Sequence, residues 1–135
     1  MRDQRASMPS ATPPQLINEE KIKKILDGDM KALNDYAHEL GKHFAGGTDR
    51  EVLTTSQIRN VLDEIQKMPE KEFDENRLQL LRPKLAYAAG RHGKKVREFQ
   101  KLLDRVIQLT EKKNFKNFKY FVEAIVAYHR YYGGK

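Results

Sequence analysis

NFKNFKYFVEAIVAYHRYY, residues 114–132, sets Phe115, Phe118, Val122, Ile125 and Tyr128 at i, i+3, i+7, i+10 and i+13. That is one stripe of a 3.6-residue period, so the segment predicts an amphipathic helix. Asn114 stands where it can cap this helix, and Gly133-Gly134 can end it.

The same period runs back toward the N-terminus. Asn18 opens a short helix carrying Ile22, Ile25 and Leu26, which Gly28 closes. A second, from about Asp29 to Phe44, puts Leu33, Tyr36, Ala37 and Leu40 on one face and breaks at Gly46-Gly47. Thr54 with Gln57 three residues on is a capping-box pattern. It starts a third helix with Ile58, Val61, Leu62 and Ile65 inward, stopped by Pro69. A fourth spans about Glu75 to Gly90, with Leu78, Leu81, Leu85 and Ala88 inward, and Pro83 is expected to kink or split it. A fifth, about Lys95 to Lys112, turns Val96, Phe99, Leu103, Val106 and Ile107 inward. No hairpin dipeptide and no sustained period-2 run is present. The expectation is all-α: a compact bundle of five to six helices over residues 16–135. Residues 1–15 hold three of the five prolines and few large apolar groups, which predicts a disordered tail.

The 135-residue chain has a formal charge of +7, no Cys and a mean hydropathy of −0.80. Without cysteine there is no disulfide, thiolate metal site or thiol nucleophile. Apolar stretches are too short to span a bilayer, and Met1–Arg5 leads into no secretory h-region, so a cytoplasmic location without membrane contact is expected. The charge is unevenly placed. Residues 1–75 hold 11 basic and 15 acidic side chains, and residues 76–135 hold 15 basic and 4 acidic. An excess of +11 in the C-terminal part points to a polyanion partner.

Chemistry is poorly supplied. Ser7 and Ser10 lie in the tail, and Ser56 lies in a cap. His38 and His43 suggest a zinc-protease helix, but that motif needs histidines four apart. Five apart, they point roughly 140° from each other and read as a solvated face. His92 and His129 have no acidic neighbour at ligand spacing, so neither metal nor cofactor is expected. Gly90-Arg91-His92-Gly93-Lys94-Lys95 lacks both the spacing and the hydroxyl of a P-loop. It reads as a helical corner that grips phosphates with Arg91, Lys94, Lys95 and Arg97. From Arg77 to Lys101 there are eight basic residues and one acid, Glu98. Lys112, Lys113, Lys116 and Lys119 form a second cluster. Such patches contact backbone phosphates with little sequence preference. Tyr131 and Tyr132, at the helix end, are freer to stack than the inward aromatics.

Three segments in order, LTTSQIRNVLDEI (53–65), LRPKLAYAAGR (81–91) and FVEAIVAYHRYY (121–132), resemble the small subunit of the type III-A (Csm) CRISPR interference complex. The resemblance covers about residues 52–132. It implies a non-catalytic, all-helical subunit, copies of which stack along the crRNA–target RNA duplex and touch its backbone. The implied partners are crRNA, target RNA, other subunits and further copies, with a homodimer open in isolation. Nuclease and cyclic-oligonucleotide chemistry fall to other subunits. Arg59, Lys84 and Arg91 match the family's basic positions, and Glu123 and Tyr128 match motif positions too. Lys94, Lys95, Arg97 and Lys101 come from charge alone. Arg59 has a competing use, an i to i+4 pair with Asp63. The −4/+11 split suggests that neighbouring copies stack through opposite charges. The alternative function is a small helix-turn-helix DNA-binding regulator opening at Thr54–Arg59. A third is a ribonuclease using His92, and a fourth is a helical scaffold whose charge only confers solubility.

Overall fold

The computed structural model describes residues 16–47, 52–90 and 93–134. Among them are six α-helices: α1 (Glu19–Leu26), α2 (Met30–Ala45), α3 (Thr55–Gln66), α4 (Glu75–Gly90), α5 (Lys94–Leu109) and α6 (Phe115–Tyr131), with a 3-10 turn at Lys112–Asn114 and no strand. Every helix start leaves orphan N–H groups, and side chains reach some of them at α1 to α4. Asn18 accepts from the Lys21 N–H, Asp29 from Ala32 and Asp74 from Arg77. Thr54 and Gln57 exchange bonds as a complete capping box. Gly28, at φ +103°, supplies the left-handed residue that turns α1 into α2.

α6 is the hub. Phe115, Phe118, Phe121, Val122 and Ile125 are fully buried, and the helix packs on α1, α2, α3 and the 3-10 turn. Each such side chain contributes about 1.5–3 kcal/mol of burial. The α2–α6 crossing is very close. A Cβ on Gly41 would lie 2.4 Å from the Tyr128 Cβ and 2.8 Å from the His129 backbone nitrogen, so only glycine fits. Tyr36 ties the start of the bundle together. Its hydroxyl donates to the Leu16 carbonyl, and burial pushes its pKa up to about 12. α4 packs chiefly on α5. α5 joins the rest through Phe99 edge-on to Phe44 at 5.4 Å and a bidentate Arg105–Glu19 pair.

Several expectations are corrected. α4 runs unbroken through Pro83 and is not split. The ring stands on the exposed side of the helix, clear of the core. Along α4, Ala89 is buried, whereas Ala88 is half-buried. α5 ends at Leu109 instead of Lys112. Thr110 is extended and its hydroxyl donates to the Val106 carbonyl, closing the last turn. Asn114 occupies the N-cap position of α6 without capping it, because its Oδ1 accepts from Glu111 in the preceding turn. Val61, Leu62 and Tyr128 are half-buried, while Phe121, Lys119 and His129, absent from the expected stripe, are buried. The tail at 1–15 lies outside the described residues.

Candidate nucleic-acid interface

The start of α5 opposes ordinary helix electrostatics. Gly93 is its N-cap and supplies no side-chain bond, and no acid stands in the first turn. Lys94 and Lys95 open it instead, with Arg97 following. Cations are unfavourable at the positive end of a helix dipole, and exposed amide N–H groups there attract anions. Lys94, Arg97 and Lys101 fall at i, i+3 and i+7, one exposed stripe directed away from the core. No ion pair among the described residues engages them.

Lys95 departs from that stripe. It is half-buried, with Nζ 3.3 Å from both ring nitrogens of His43. His43 Nε2 lies 2.9 Å from Glu98 Oε1, with the two side chains only 10% and 15% exposed. His43 is therefore part of an α2–α5 polar lock, which corrects its reading as a solvated residue. Lys84 is exposed at the mouth of a cleft of about 250 Å³ between α3, α4 and α5, together with Gln57, Asn60 and Gln100. Arg59 is also exposed, yet it stands roughly 160° around α3 from Gln57, away from that cleft. No ion pair joins it to Asp63. Arg91 and His92 lie outside the described residues. Thus Lys94, Arg97 and Lys101 come together, Lys84 is a separate neighbour, and Arg59 is apart.

Other cations of the basic half serve the fold. Arg82 grips both oxygens of Asp104, at 2.7 and 3.2 Å, and this bond holds the Asp104 carboxyl below its usual range. Arg105 does the same to Glu19. Lys119 is buried, donates to the Met68 carbonyl and lies over the Phe115 ring, so it leaves the second cluster. Glu123 accepts from Gln66, tying α6 to α3.

The C-terminal end of α6 holds a group of rings that sequence reasoning only partly found. His38 stacks on Tyr128 (4.6 Å, 15°) and on Tyr132 (5.4 Å, 25°), and its Nε2 is hydrogen-bonded to the Tyr132 hydroxyl. Lys42 Nζ lies 5.8 Å over the Tyr132 ring. His38 and Lys42 are i and i+4 on α2, which is the signal that could have joined them.

The segments flanking α3, residues 46–54 and 67–74, exceed the three or four residues of a helix-turn-helix turn, which removes that alternative. Comparison with known families matches residues 27–135 to Csm2 Type III-A. The match reaches some 25 residues further toward the N-terminus than the motifs and takes in α2. A Streptococcus thermophilus protein described as "CRISPR system Cms protein Csm2" is 35% identical over 92 residues, 62% of this chain and 76% of its own length. One with the same description from Enterococcus italicus is 33% identical over 96 residues, 59% of this chain and 68% of its own. No solved structure gives a significant match.

Proposed function

Because the chain belongs to the Csm2 type III-A family, small subunits of the type III-A CRISPR complex, we propose that it is a non-catalytic subunit holding the crRNA–target RNA backbone without sequence preference. The observation that carries this reading is the acid-free, uncapped first turn of α5 with its exposed Lys94–Arg97–Lys101 stripe. A charge pattern that weakens the free helix is repaid when phosphates neutralise it. Guide–target pairing already encodes the sequence, so the subunit needs only phosphate spacing and duplex shape.

Lys84 and Arg59 extend the contact at separate points, and Arg91 keeps its place on the family motif. Lys95 acts by fixing α5 against α2 through His43 and Glu98. Each copy makes few phosphate contacts, and stacking of copies multiplies them. The N-terminal part, residues 1–75 with its excess of acidic side chains, is the stacking partner for the basic half. The subunit works in the cytoplasm as one domain over residues 16–135. The structural uses of His43, His129 and Glu98 support a role without chemistry.

Full-chain protein titrated against labelled RNA at several salt concentrations tests this. Affinity falls steeply with salt and is equal across sequences. Replacing Lys94, Arg97 and Lys101 by Ala reduces the log–log salt slope for single-stranded RNA by about two, with helicity unchanged. Salt-insensitive binding, or strong preference for one sequence, refutes the proposal.

A further inference from the structure

We propose that Tyr131 is a stacking platform for one unpaired nucleobase of the RNA, held in place by the ring ladder beneath it; this rests on the RNA-binding reading above. Tyr128, His38 and Tyr132 form three near-parallel planes, and Tyr131 stands edge-on to Tyr132 at 5.1 Å and 82°. The ladder is locked through its polar groups. Tyr128 donates to Asn34, and the Tyr132 hydroxyl is bonded to His38. Tyr131 ends this rigid array with 76% of its surface exposed, the highest of the exposed large hydrophobic residues described. A held aromatic ring loses little freedom on binding, so stacking on it is efficient.

The surrounding charge selects the occupant. Lys42, over the Tyr132 ring, also lines a shallow hollow with His43, Lys95, Gly46 and Gly47, beside the start of α5. Glu39 is the one carboxylate lining that hollow, and it lies 3.7 Å from Lys21. The rings therefore adjoin a positively charged hollow at the C-terminal end of α2, which meets the first turn of α5 at Lys95, one residue from Lys94. Aromatic faces beside cations are the recognition chemistry of single-stranded RNA, where the base stacks and its phosphates follow the positive track. An apolar protein partner has no use for the flanking cations.

The test compares oligouridine with a fully paired RNA duplex of equal length, binding to the full-length chain. Tyr131→Ala weakens oligouridine binding between about five- and a hundredfold, leaves duplex binding unchanged and does not alter the salt slope. Tyr131→Phe, which keeps the ring face, retains the affinity. Because the chain has no Trp, quenching of tyrosine emission by oligouridine reports the stack directly, and Tyr131→Ala diminishes it. The proposal is overturned if Tyr131→Ala affects neither RNA or both alike, or if it changes only self-association, which makes the site a protein contact. Salt-dependent RNA binding indifferent to Tyr131 removes the platform and leaves the backbone-binding function standing. Absence of any RNA binding removes both.

Discussion

His129 is completely buried, with Nε2 donating to the Leu53 carbonyl at 2.6 Å and Gly134 lying against its ring. Among the described residues nothing pairs with Nδ1. Charging the ring would place a proton there with no acceptor. Burial accordingly lowers its pKa, against an upward pull from the Leu53 carbonyl. A histidine whose folded pKa lies below its unfolded value contributes stability that is complete above about pH 6.5. That stability is lost as pH falls through the folded value. Thermal melts followed by circular dichroism between pH 8 and 5 are expected to show this decline. His129→Gln, which can still donate but does not titrate, is less stable at pH 8 and loses less on acidification. An equal acid loss in the variant would place the decline elsewhere. Sequence reading left His129 without a role because its partners, Leu53 and Gly134, differ in opposite directions along the chain. The inward turn of Lys95 and the burial of Lys119 were illegible for a like reason: each depends on a group distant in sequence, the His43 ring of α2 and the Met68 carbonyl just beyond α3.

At the level of elements, helix starts were readable because caps are local. Asn18, Asp29 and Thr54 act within three residues of themselves. Helix ends were less so. The Thr110–Val106 bond ends α5 three residues early, before a 3-10 turn, and a threonine gives no advance sign of that choice. α4 is the least consistent helix. Leu78, Leu81, Leu85 and Ala89 are buried, yet Leu80 and Tyr87 are exposed by 63% and 71%. Pro83 also costs it a hydrogen bond in mid-helix. Since Pro83 is exposed and the helix passes through it, Pro83→Ala is expected to stabilise the chain by about 1–3 kcal/mol. A denaturant titration reads this as a higher midpoint at unchanged slope. A lower midpoint would mean that the ring supports packing on α4. The basic residues of α5 were legible from charge, and their spacing puts Lys94, Arg97 and Lys101 on one exposed face, but the turn of Lys95 away from that face was not.

Across the whole molecule, the charge split of the sequence is partly cancelled by folding, because Arg105 of the basic half pairs with Glu19 of the acidic half. Part of what remains stands on the exposed stripe of α5, and part on Lys112, Lys113 and Lys116, which are exposed beside the 3-10 turn. Helix pairings were not legible, because nothing local says that α6 packs on α1, α2 and α3 together. That arrangement predicts a graded response in hydrogen exchange. Amides in the middle of α6 exchange only on global unfolding, while those of α4, supported chiefly by α5, open earlier. Equal protection of the two helices would show a single cooperative unit. The hub position of α6 also has a consequence for synthesis. Of the six helices, it is the last to be translated, so α1, α2 and α3 leave the ribosome with their common apolar partner still unmade. Those three helices wait as a loosely associated nascent chain, and the bundle closes in one late step once residues 115–131 have emerged.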